Sequence, residues 1–133
     1  YKANAKRVNN WDLVDSSAHK IVGAYLFERD RALLTRLAKS KNIWERRIAI
    51  IATMFFIGKD DLEDTFRVTE LLMKDEHDLI HKACGWMLRE AGKRDRKRLE
   101  AFLEKHIKHI PRTMLRYAIE KFPEKKRKAY LKR

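Results

Sequence analysis

Trp11 and Asp15 stand four residues apart in the stretch NNWDLVDSS (residues 9–17), so on a helix they share one face. An indole beside a carboxylate reads in two ways. By pattern alone, Trp11 is a core residue at a helix start, and Asp15, followed by Ser16 and Ser17, is a cap for the helix that begins near Ala18. The other reading is a working site, and in a chain this positive its partner would be a polyanion. The basic residues Arg47, Lys82, Arg112 and Arg116 fall in three similar helical stretches, where they could form a stripe that tracks a phosphate backbone. The adjacent Arg46 and Arg47 read equally as a solvated face, since double basics are common in a chain this positive. Trp86, set between Cys84 and Met87, reads from its neighbours as a buried wedge between helices, and Trp44 as a packing residue beside a turn.

Other chemistries find less support. His77 and His81 sit at i and i+4 with Asp78 nearby, a conceivable two-ligand metal site, but no third or fourth ligand follows at characteristic spacing. No metal or other cofactor is expected. No glycine-rich loop is present to cradle a nucleotide phosphate. Cys84 is the only cysteine, which excludes an internal disulfide and suits a reducing cytoplasm.

The elements that must hold these residues are helices. The 133 residues include 4 Gly and 2 Pro, and the composition favours good helix formers, so the chain reads as one all-α domain spanning 1–133. Its 32 Lys and Arg exceed the 19 Asp and Glu by 13, an excess that points to an anionic partner, most often nucleic acid. The most apolar run, Ile48 to Gly58, is too short to cross a membrane, and no signal peptide is visible. Residue 1 is Tyr and the first Met is Met54, so the chain reads as a processed product or a fragment.

Periodicity predicts helices near 10–15, 18–27, 30–39, 42–57, 61–74, 77–91, 95–106, 111–121 and 123–131. Pro111 and Pro123 suit first-turn positions, and Asp60, Asp61, Asp75 and Asp95 suit caps or first-turn acids. IWERRIAIIAT from Ile43, IHKACGWMLRE from Ile80 and IPRTMLRYAIE from Ile110 resemble one another, with starts 37 and 30 residues apart. That spacing suits stacked helical pairs, whose apolar faces are buried only against neighbours.

Four segments then resemble a known family in series: NWDLVDSSAHKIVG, WERRIAIIAT, HDLIHKACGWMLREAGKRD and PRTMLRYAIEKFP. Together, over about Asn9 to Lys128, they resemble the DNA alkylation repair glycosylases of the AlkD type, bacterial and archaeal proteins built from HEAT-like repeats. The resemblance implies an α-α superhelix that excises cationic N3- or N7-alkylated purines from duplex DNA, acting as a cytoplasmic, nucleoid-associated monomer. Family members carry further helices upstream of the WDLVD motif, so the chain reads as the C-terminal larger part of a longer protein. By this resemblance Asp15 is the essential carboxylate, Trp11 and Trp86 are the active-site tryptophans, and Arg47 is the phosphate-contacting arginine, with Arg46 as the alternative. Arg89, one turn after Trp86, joins them.

The implied chemistry needs little machinery. An N7-alkylpurine is already cationic and leaves as a neutral base, so no strong general acid is required. What remains is an oxocarbenium-like sugar and a water to capture it. One carboxylate can stabilise the first and orient or deprotonate the second. Aromatic faces suit a cationic nucleotide. The alternative is a non-catalytic helical-repeat module that binds nucleic acid or protein through the same basic face.

Overall fold

The computed structural model describes residues 31–132. The helices predicted at 10–15 and 18–27, with Trp11, Asp15 and His19, lie outside the described residues. Within them every regular element is an α-helix: α1 Ala32–Ala38, α2 Ile43–Ile51, α3 Thr53–Gly58, α4 Glu63–Leu72, α5 Asp78–Arg94, α6 Arg96–His106, α7 Arg112–Ala118 and α8 Glu124–Leu131. None of them is long and apolar enough to cross a membrane.

Local chemistry sets the helix starts. The Asn42 side chain accepts hydrogen bonds from the Trp44 and Glu45 amides at 2.9 and 3.2 Å, two of the donors that an α-helix start leaves without an intrahelical partner. Asp95 caps α6 by accepting from the Arg98 amide at 3.2 Å. Pro111 and Pro123 occupy the N-cap positions of α7 and α8 rather than the first turn, with extended backbone (ψ 141° and 147°) that turns the chain into each helix. Asp60 is part of neither cap nor helix: it takes φ 60° in the turn after α3. Asp75 precedes α5, where one carboxylate oxygen accepts from the His77 amide at 2.8 Å.

The helix predicted over 42–57 is two helices. It breaks at Ala52, where the Thr53 hydroxyl donates to the Ile50 carbonyl at 2.6 Å. A hydroxyl that bonds back onto its own helix competes with the main-chain ladder and bends it.

Helix α5 is the hub, packing against α2, α3, α4, α6 and α7. Its core stripe, Ile80, Ala83, Cys84, Met87, Leu88 and Ala91, is buried and recurs at helical intervals. The three similar stretches therefore lie side by side, α2 on α5 and α5 on α7, while α1 flanks α2 and α4. Arg31 ties the start of α1 to α4 through Asp61 at 2.7 Å and Asp64 at 2.6 Å.

Candidate nucleic-acid interface

The face of α5 beside its core stripe carries Leu79, Lys82, Trp86 and Arg89, three or four residues apart and so aligned along the helix. Arg47 from α2 closes one side of this face and Tyr117 from α7 the other, enclosing a cleft of about 380 Å³. Four residues nominated separately from the sequence, Arg47, Lys82, Trp86 and Arg89, thus share one cleft. No carboxylate is among its described lining residues.

Each cation is held differently. Arg47 donates a long hydrogen bond (3.4 Å) to the Leu79 carbonyl, across the α2–α5 contact. Lys82 makes an exposed i,i+4 pair with Asp78 at 3.6 Å, an interaction weak enough to exchange for a phosphate. Arg89 is held by two carboxylates: its Nη1 pairs with Glu120 of the segment after α7, and its Nε lies 3.4 Å from Glu90.

Arg46 points elsewhere. Successive residues on a helix lie about 100° apart, and Arg46 faces away from the cleft to meet Asp75 at 2.6 Å and the Ser40 carbonyl at 3.0 Å. The Asp75 side chain is only 8% exposed, so this pair fastens α2 to the turn before α5. Arg112 and Arg116 are exposed on α7. Arg116 lines a separate opening of about 310 Å³ with Arg127, Lys128, Glu120 and Glu124. Trp86 is half-buried: its edge packs on the core while it lines the cleft. Trp44 packs on the core.

Tyr117 is the lining residue that sequence reading missed. When the similar stretches are aligned from Ile80 and Ile110, Tyr117 falls opposite Met87, which is fully buried, so register assigns it to the core. It is instead 38% exposed. Its Cβ and the Met114 carbonyl lie so close to Gly85 that only a residue without a side chain fits there, and the Tyr117 ring lines the cleft.

Two further groups are accounted for locally. His81 Nε2 is hydrogen-bonded to the Asp75 carbonyl. Among the described residues no three His, Cys, Asp or Glu side chains converge on a point that could hold a metal ion. Cys84 is completely buried; burial raises its thiol far above the ordinary range, Asp75 adds to the rise, and Arg47 opposes it.

A cleft with three cations, an aromatic wall from two helices and no described carboxylate suits a polyanion that also offers a ring or a cationic group. A comparison with curated proteins finds no match. The sequence does match the family described as DNA alkylation repair enzyme, over residues 1–122, and the chain belongs to that family.

Proposed function

We propose that this member of the family is a DNA glycosylase that hydrolyses the bond between deoxyribose and a cationic N3- or N7-alkylated purine in duplex DNA. The helices would stack as HEAT-like pairs in an α-α superhelix, with α2, α5 and α7 turned to the DNA. As the C1′–N bond breaks, its electron pair goes to the base, which departs neutral. The Asp15 carboxylate steadies the positive sugar and takes a proton from the water whose oxygen bonds to C1′. Trp11, Trp86 and Tyr117 offer ring faces to the cationic nucleotide. Arg47, Lys82 and Arg89 hold backbone phosphates and so fix where the sugar sits.

One observation carries this reading: Arg47, Lys82, Trp86 and Arg89 line a single cleft without a carboxylate among its described walls. The test is release of 7-methylguanine from methylated duplex DNA, with Asp15→Asn beside the parent. The parent is expected to excise and Asp15→Asn to lose most of that activity while still binding DNA. Equal excision by both proteins would remove Asp15 from the mechanism. Tight DNA binding without excision by either would favour a non-catalytic binding module.

A further inference from the structure

We infer that the junction of α5, α6 and α7 is a second phosphate site for the DNA backbone, one helical turn beyond the Trp86 cleft and sharing Arg89 with it. The inference rests on the reading above only in taking duplex DNA as the partner. An opening of about 200 Å³ lies there, walled by Arg89, Lys93, Arg96 and Lys121 over an apolar floor that includes Leu99 and Phe122. Four cations and no carboxylate line it. The opening at α7 and α8 differs, because Glu120 and Glu124 stand in its wall among the basic residues.

The acids that accompany these cations stand outside the opening. Glu90 is 2.9 Å from Lys93 Nζ, Glu120 meets Arg89, and Glu100 lies 4.0 Å from Arg96 while also pairing with Lys126. Lys121 is exposed and has no carboxylate partner among the described residues. The Arg96 guanidinium lies over the Phe122 ring, 4.8 Å from its centroid, which holds it at the mouth instead of leaving it to sweep solvent. Low-dielectric walls behind clustered cations focus their field and favour an anion at the mouth.

Spacing selects DNA as the source of that anion. Lys82, Trp86, Arg89 and Lys93 follow one another along α5 at intervals of 4, 3 and 4 residues. At roughly 1.5 Å per residue, Lys93 stands about 6 Å past Arg89 and about 16 Å past Lys82. A DNA strand advances roughly 3.4 Å per nucleotide along its axis, so the row spans several phosphates of one strand. Lys93, Arg96 and Lys121 then hold backbone away from the reacting sugar, and their role is affinity and register.

The test compares salt dependence of binding to an unmodified duplex for the parent chain, for Lys93→Gln/Arg96→Gln/Lys121→Gln, and for a control with the same charge loss, Lys74→Gln/Lys105→Gln/Lys108→Gln. The control residues are exposed around the C-terminal ends of α4 and α6. Loss of one phosphate contact flattens the slope of log K against log salt by about 0.9, and the site triple is expected to show at least that shift beyond the control. Lys93→Gln/Lys121→Gln, which leaves Arg96 over Phe122, is expected to show the same direction and guards against misfolding. Slopes that match the control overturn the inference. So does a chemical-shift response of Lys93 and Lys121 to inorganic phosphate that is not accompanied by any slope change, because the site would then serve a free anion. If the parent itself binds duplex DNA without salt dependence, the fault lies with the DNA-binding reading instead.

Discussion

The Tyr117 Cβ lies 2.5 Å from the point that a Cβ on Gly85 would occupy, and the Met114 carbonyl oxygen lies 2.7 Å from it. No ordinary side chain tolerates such approaches. Gly85 is the place where α7 closes onto α5, and the contact brings an aromatic ring from one helix to the cleft beside Trp86 on the other. Because a backbone carbonyl cannot rotate away as a side chain can, Gly85→Ala should force the helices apart. Overpacking of this kind costs about 1–3 kcal/mol. A denaturation midpoint that falls accordingly, with weaker DNA binding, is expected; an unchanged midpoint would show that the contact is not tight.

Tyr117 should matter for its ring and not its hydroxyl. Tyr117→Ala is expected to weaken binding of methylated duplex several-fold, as losing about 0.5–1 kcal/mol of cation–π contact implies, and Tyr117→Phe to bind like the parent. Leu71→Ala is the control, since Leu71 is 39% exposed and does not line the cleft. Equal effects from the Tyr117 and Leu71 truncations would mean that the ring makes no special contact.

The neighbours Arg46 and Arg47 should separate in their phenotypes. Arg47→Gln removes the long hydrogen bond to the Leu79 carbonyl and is expected to weaken DNA binding and to flatten its salt slope by about 0.9. Arg46→Gln strands Asp75, whose carboxylate is nearly buried, and is expected to lower stability by up to about 3 kcal/mol with little change in slope. Thermal melts beside salt titrations of both variants decide the assignment. The reverse pattern would exchange the two roles.

Cys84 should be silent toward thiol reagents in the native protein. Burial holds it protonated, and a thiolate is the reactive form. Labelling is expected only after denaturant exposes it. The same shift gives a direction for stability. Because the folded value is raised above the ordinary 9.0, this contribution is fully present below about pH 9 and is lost as pH rises above it. Alkaline melts of the parent against Cys84→Ala measure it; parallel curves above pH 9 would argue that the thiol is reached by solvent.

Much of this molecule is legible from local chemistry. Asp95 before an apolar-periodic run and Pro111 and Pro123 near helix starts mark boundaries that the structure keeps to within a residue or two, because Asp95 caps a neighbouring amide and each proline ring fixes its own backbone angle. The break at Ala52 is not legible, since apolar residues run on through it and one hydroxyl turned back onto a carbonyl makes the difference.

What the residue order determines by itself is which positions form helices, which faces are apolar, and that the surface must be strongly basic. What it leaves open is which of many cations meets a carboxylate from another helix and which lines a cleft. Tertiary packing decides that. Arg46 reaches Asp75 and is absorbed into the fold, while Arg47, about 100° around the same helix, looks into a cleft whose described walls hold no acid. Gly85 turns Tyr117, whose register places it in the core, into part of that cleft. The reason is physical: helix periodicity is a local property, whereas charge pairing and close helix approach depend on distances between segments some thirty residues apart.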